Sequence, residues 1–204
     1  MEEKIEAIRK WLGTGSINIF GFPMSGKDTQ GVKLAEALGG KLLSSGIIIR
    51  ANEAEQHKKL TDKGNLIPTD IFYEWVLPYF ERSDLKDSPL VLSSIGRWFG
   101  EEDTVMETAE RTGHPIKAAV LLNISEADVL ARFQKLQFLN DRGERQDDKD
   151  LNVFQVRLDE FREKTMPVLE HYKALGLLVN VNGDQSREEV FEDIVNKLYE
   201  FSQK

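Results

Sequence analysis

The 204-residue chain has no cysteine, which excludes disulfides and thiolate-held metal. It has no apolar run near the ~18 residues that a membrane-spanning helix needs, so no membrane partner is expected. Its start, Met1-Glu2-Glu3-Lys4, is acidic and lacks the apolar stretch of a secretory signal, and the cytoplasm is the expected location. Positive charge is in deficit: 27 Lys and Arg against 35 Asp and Glu leave a net charge of -8. That balance argues against a nucleic-acid partner, and a strongly anionic ligand must be held by locally placed arginines. The histidines His57, His114 and His171 have neither metal nor triad spacing and read as structural or surface residues. What is present is ordinary: 40% hydrophobic and 30% charged residues, in a length that suits one large domain with its own core.

Periodicity organises the chain. Residues 2–12 read as an amphipathic helix with Ile5, Ile8 and Leu12 at helical spacing, so 1–15 is expected to be an N-terminal helical extension. Strands are expected at 17–20, 41–43, 90–92, 116–123 and 177–181. Helices are expected at 29–38, 47–62, 69–80 with Thr69 as cap, 101–112, after the cap at 125–128, at 151–172 with a kink or break at Pro167, and at 186–201. Strands alternating with helices predict a three-layer α/β/α fold around a mainly parallel five-stranded sheet. The helical insertion at 47–80 and the polar stretch 140–150 are candidate mobile pieces of that single domain.

The segment Gly21-Phe22-Pro23-Met24-Ser25-Gly26-Lys27-Asp28-Thr29 lies between an expected strand and an expected helix. Backbone N–H groups of such a loop point at phosphate oxygens, and the following helix adds its positive end. Lys27 supplies charge for the outer phosphates of a nucleoside triphosphate, and the Thr29 hydroxyl is the candidate ligand for the accompanying Mg2+. The strict pattern G-x-x-x-x-G-K-[ST] is missed by one position, because Asp28 stands where Ser or Thr belongs.

The longer pattern G-x-P-x-S-G-K-x-T-Q resembles the adenylate kinase family of nucleoside monophosphate kinases, in a divergent short-lid form. The resemblance continues in order along the chain: Ser44-Ser45-Gly46 to Arg50, Gly64-Asn65-Leu66-Ile67-Pro68, Ser93-Ser94-Ile95-Gly96-Arg97, Ala131-Arg132-Phe133, Arg145-Gln146-Asp147-Asp148, Arg157-Leu158 with Thr165-Met166-Pro167, and Val181 to Ser186. It implies a P-loop fold with a helical monophosphate-binding insertion at 47–80 and a short lid at about 136–148. It implies transfer of the ATP γ-phosphoryl group to AMP, with Mg2+ and with nucleotides as partners, and a monomer is expected.

By the same resemblance, Gly21, Pro23, Met24, Ser25, Gly26, Lys27, Asp28, Thr29, Arg132, Gly183 and Gln185 would bind ATP. Ser45, Gly46, Arg50, Leu66, Ile67, Ser94, Arg97, Glu101, Arg145 and Arg157 would bind the monophosphate. Lys27, Arg97, Arg142, Arg145 and Arg157 would be catalytic. Donor and acceptor are both anions and the attacking oxygen is already ionised, so positioning and charge neutralisation suffice, and guanidinium forks supply both.

The chain also departs from the family pattern. Met24 and Asp28 replace loop glycines, and Met24 is strained if its position requires positive φ. Ile47 and Ser93 stand where the family has aspartates that orient magnesium through water, leaving Asp28 as a second metal-shell candidate beside Thr29. Glu101 stands where the family has a Gln that reads the acceptor base. Trp98 and Phe99 follow Arg97, as pocket lining or as packing. These departures keep two alternatives open: a kinase for another monophosphate such as GMP, and a weakly catalytic nucleotide-binding protein.

Overall fold

The computed structural model describes residues 1–56, 60–139 and 150–204. Among these, five strands form one parallel sheet: β1 (Ser16–Gly21), β2 (Lys41–Ser44), β3 (Leu90–Ser93), β4 (Ile116–Asn123) and β5 (Leu178–Asn182), in the order β2-β3-β1-β4-β5. The register pairs Ile19 with Ser93 on one side and with Val120 on the other, so the C-terminal ends of β1, β3 and β4 open at one edge. Side chains alternate between faces, as a pleated strand requires. Ile17, Ile19, Val91 and Val120 pack with Ile8, Leu34 and Leu198 on one face, while Phe20, Leu90, Leu92 and Ala119 pack with Phe72, Val105 and Tyr172 on the other. These are the helical layers of the expected α/β/α fold. Two-sided burial explains why the strands read as short continuous apolar runs.

The helices are α1 (Glu2–Leu12), α2 (Lys27–Leu38), α3 (Ser45–Glu55), α4 (Thr69–Val76), α5 (Glu101–Arg111), α6 (Glu126–Leu139), α7 (Leu151–Glu160), α8 (Met166–Ala174) and α9 (Arg187–Ser202). The extension α1 lies against α9, with Ile8 and Leu12 fully buried and Lys4 Nζ donating to Asn196 Oδ1 at 2.7 Å. Ser186 and Glu189 close a reciprocal capping box on α9.

Four expectations are corrected. The helix expected over 47–62 ends at Glu55, because the Glu53 carboxylate turns the chain by accepting from Leu60 N, Thr61 N and Thr61 Oγ1. The α-helix from Thr69 ends at Val76 and tightens into 3-10 turns at Leu77–Glu81, where Pro78 cannot donate an i→i-4 bond. Thr69 is the first helical residue and does not cap; its hydroxyl donates to Glu101. The break near Pro167 comes one turn early, as a π-helical turn at Phe161–Thr165, where the backbone accommodates the missing donor and the ring. The expected lid beyond residue 139, with Arg142, Arg145, Asp147 and Asp148, lies outside the described residues, as does His57.

Candidate functional site

The phosphate loop joins the end of β1 to the start of α2, and its shape rests on close approaches. A Cβ on Gly21 would stand 2.5 Å from Ser25 Oγ, so this position has no room for a side chain. Gly26 has φ 89 and Met24 has φ 64. Gly26 adopts the left-handed region readily, whereas Met24 is strained there by about 1 kcal/mol. Met24 is steadied by its side chain, which packs on the cluster of Ile124, Val129, Phe133, Phe154 and Leu158 supplied largely by α6 and α7. From α6, Arg132 reaches back to the loop, donating to Gly183 O at 2.9 Å and, more weakly, to Met24 O at 3.4 Å. Gly183 N donates to Asn123 O at 2.7 Å, and Gln185 Nε2 reaches Asn182 O at 3.5 Å. Arg132 thereby joins Met24 and Ser25 of the loop to Gly183, two residues before Gln185. Ser25 Oγ is buried with no hydrogen-bond partner among the described residues.

Beside the loop lies an open cleft. Its cationic lining comes from Lys27 at the start of α2, Arg50 of α3, Arg97 after β3 and Arg157 of α7. Its apolar lining includes Ile49, Leu66, Ile67 and Phe72, and Ser45, Gly46, Ser94 and Glu101 line it as well, while Arg145 of the expected set lies outside the described residues. Four elements therefore place cations around one space in a chain of net charge -8, the local arrangement that such a charge requires for an anionic ligand.

Buried bonds hold this wall. Ser45 Oγ donates to Ser94 O at 2.8 Å, and Ser94, at φ 52, donates its N–H to Ile19 O at 2.9 Å. Gly46 leaves room for Arg50, since a Cβ there would stand 3.1 Å from its Nη1. Gly64, at φ 85, lets the Gly64–Pro68 turn press on α7, where a Cβ would come within 2.6 Å of Val153 O. Burial, and then the neighbouring Arg157, lower the Arg97 pKa to about 10. Arg97 Nε is buried without a hydrogen-bond partner among the described residues. Burial raises the Glu101 pKa, against hydrogen bonds from Trp98 N, Thr69 and Arg97 N.

At the edge shared with the loop, Ser93 Oγ donates to Asp28 Oδ1 at 2.7 Å. The acid of the loop helix therefore leans onto the end of β3. Thr29 follows Asp28 in the first turn of α2. Ile47 is 57% exposed on α3 and contributes nothing polar there. No cluster of three or more His, Cys, Asp or Glu side chains able to hold a metal occurs among the described residues. A divalent ion here would take most of its ligands from nucleotide phosphates and water.

Sequence reading missed a second row of contacts. Glu160 Oε2 accepts from Leu66 N at 2.9 Å, and Lys164 Nζ grips both Glu160 oxygens at 2.6 and 2.7 Å. The Lys164 ammonium also lies 3.9 Å from the centre of the Trp98 ring, and Trp98 lines the cleft. The i,i+4 spacing of Glu160 and Lys164 was visible, but it is also the spacing of an ordinary solvated helix pair.

The adenylate kinase family model matches residues 19–177. The adenylate kinase of Thermus thermophilus is 30% identical over 190 residues, covering 90% of this chain and 97% of the relative. That of Kocuria rhizophila is 30% identical over 186 residues, with 88% and 96% covered. That of Streptococcus agalactiae is 27% identical over 207 residues, with 89% and 97% covered. With a strand-loop-helix phosphate cradle and an arginine-lined cleft on the same sheet edge, the matched span takes in both halves of the site, and the chain belongs to the adenylate kinase family.

Proposed function

We propose that this chain transfers the γ-phosphoryl group of ATP to AMP, giving two ADP in a reversible reaction, and that it works as a cytoplasmic monomer. The observation that carries this is the convergence of Arg50, Arg97 and Arg157 on a cleft that begins at Lys27 of the phosphate loop. A triphosphate site alone needs no second set of cations; a second anionic substrate does. Among the described residues, no helix is long and apolar enough to cross a membrane.

In this reading the loop from Gly21 to Thr29 holds the ATP phosphates through backbone N–H groups, and Lys27 neutralises charge on the outer ones. Arg132 covers the donor base beside Gly183 and Gln185. Arg50 and Arg97 hold the AMP phosphate. Arg157, with Arg142 and Arg145 of the lid, spans both substrates. An ionised AMP phosphate oxygen forms the new bond to the γ-phosphorus as the bond to the β-γ bridging oxygen breaks, and ADP leaves with that electron pair. No proton moves at the attacking oxygen, so no general base is required. Fixed guanidiniums lower the barrier by positioning the two anions and stabilising the charge of the transferring group.

Magnesium fits the residues present. The Thr29 hydroxyl is the direct ligand in this proposal. Asp28, held by Ser93 at the end of β3, supplies the outer-shell carboxylate, on the observation that the 2.7 Å bond brings this acid to the strand end that Ser93 leaves without one. Bound with ATP, the ion would neutralise phosphate charge.

The alternatives, a GMP-type kinase and a weakly catalytic binding protein, are not favoured by the family comparisons. A coupled assay with ATP and each of AMP, GMP, CMP, UMP and dTMP tests the proposal. AMP should be the best acceptor. Tight ATP binding without turnover of any acceptor would sink the proposal.

A further inference from the structure

Lys164 sits in the π-helical turn Phe161–Thr165 and is not among the cations that line the cleft. It is no ordinary solvated helix residue. Its side chain is 23% exposed, and that of its partner Glu160 is 10% exposed. The ammonium pairs with both Glu160 oxygens, at 2.6 and 2.7 Å, and its remaining charge faces the Trp98 ring, whose centre is 3.9 Å away. One cation thereby joins two segments of the cleft wall, Leu66 through Glu160 and Trp98 directly.

Glu160 has a second claimant. Of the acids whose field favours the charged form of buried Arg97, Glu160 acts most strongly, ahead of Glu101 and Asp28. Arg97 Nε is buried with no hydrogen-bond partner among the described residues. A buried carboxylate that loses its cation turns to the next one within reach, because leaving it uncompensated is costly. Carboxylate and phosphate fit the same guanidinium fork. A Glu160 drawn onto Arg97 would therefore occupy the donors that an acceptor phosphate needs.

We propose that Lys164 is a positioning residue for the acceptor phosphate: by holding both Glu160 oxygens while resting on Trp98, it keeps that carboxylate off Arg97 and leaves the guanidinium open to the phosphate. The inference rests on the AMP phosphorylation proposed above. Trp98 follows Arg97 directly, so the ammonium is anchored to the segment whose charge it protects.

Three variants separate this role from simple support of the fold. Lys164→Met keeps the length of the side chain and an apolar contact with the Trp98 ring, but removes the charge. Lys164→Met/Glu160→Gln also removes the competing carboxylate. Lys164→Arg can pair with both Glu160 oxygens and stack on the ring.

The test is steady-state kinetics with ATP and AMP, together with inhibition by adenosine, which competes with AMP but has no phosphate. In Lys164→Met the KM for AMP should rise roughly 20-fold or more, the scale of a displaced hydrogen bond to a charged group. The kcat at saturating AMP, the KM for ATP and the adenosine Ki should stay within about twofold of native, since saturating phosphate displaces the carboxylate and adenosine never meets it. In the double variant the KM for AMP should fall back to about fivefold above native, the level expected for Glu160→Gln alone. An unchanged KM for AMP in Lys164→Met, a loss shared equally by AMP and adenosine, or a double variant no better than Lys164→Met would each overturn the inference. Lys164→Arg should keep the KM for AMP within about threefold of native, and a tenfold rise there overturns the inference even if Lys164→Met fails to fold. Absence of AMP turnover in the native chain overturns phosphoryl transfer itself, a result distinguishable from turnover whose AMP dependence ignores Lys164.

Discussion

Asp28→Asn separates charge from structure at the phosphate loop. Asparagine keeps the size of the side chain and an oxygen to accept from Ser93 Oγ, now at 2.7 Å from Asp28 Oδ1. Only the negative charge goes. A hydrogen bond to a charged group contributes about 1.5–3 kcal/mol and a neutral one about 0.5–1.5. A carboxylate in the first turn of a helix adds about 0.3–1 kcal/mol. The expected stability loss is therefore about 1–2 kcal/mol, or roughly 2–8 °C in Tm for a domain of this size, and the variant should fold. The effect on metal should be larger. Removing an outer-shell carboxylate typically weakens metal affinity 10- to 100-fold. The free Mg2+ needed for half-maximal turnover should rise by about that factor. Metal-free ATP should respond in the opposite direction and bind more tightly, because a carboxylate no longer stands beside its phosphates. Calorimetric titration of ATP with and without Mg2+, together with initial rates against free Mg2+, reads both effects. A purely structural Asp28 would weaken both kinds of binding together. A Mg2+ midpoint within twofold of the native value would refute the metal-shell role.

Met24 should show its strain through an inverted order of substitutions. Met24→Ala keeps φ near 64 and loses packing on the α6–α7 cluster, for about 2 kcal/mol, whereas Met24→Gly loses the packing but sheds the strain, for about 1 kcal/mol. Thermal denaturation should find the Ala variant less stable than the Gly variant, and equal stability would remove the strain argument. Arg97, with its pKa lowered to about 10, should lose its charge as pH rises through that value. The KM for AMP should therefore stay level up to about pH 9 and climb above pH 10 while the KM for ATP changes much less; equal rises in both would point elsewhere. Glu160→Gln removes the charge that pairs with Lys164 and weakens the bond from Leu66 N, so the KM for AMP should rise about fivefold with little change for ATP, measured by steady-state kinetics.

The fold was legible where one local rule decided it. The strands were, because parallel strands buried on both faces are short apolar runs such as Leu90-Val91-Leu92. Boundaries failed where a distant or competing partner intervened. Nothing near Thr69 says that Glu101 takes its hydroxyl, and helical spacing beyond Glu55 does not reveal that Glu53 captures Leu60 and Thr61. Pro167 announced an irregularity but not its π-helical form or its start at Phe161. At the candidate site, the phosphate loop and the arginines were legible as ordered motifs. The Glu160 bond to Leu66 and the Lys164 contact with Trp98 were not, since both join separate segments that meet only in the fold.

Read only along the chain, the missing aspartates at Ile47 and Ser93 argued for weak catalysis. In space the argument changes for Ser93. Its hydroxyl meets an acid from the facing helix, so a carboxylate stands at the end of β3 although none belongs to β3. Ile47, exposed on α3, has no such exchange, and the metal shell proposed here is correspondingly lopsided toward the loop. That placement has a mechanical consequence. Lys27, Asp28 and Thr29 are consecutive residues in the first turn of α2, so phosphate charge, metal-shell charge and metal ligand move as one rigid unit. The unit follows the loop, which is tied to α6 and α7 through Met24 and to α6 through Arg132. A perturbation that loosens Met24 or Arg132 should therefore disturb ATP and magnesium together, whereas Asp28→Asn should separate them.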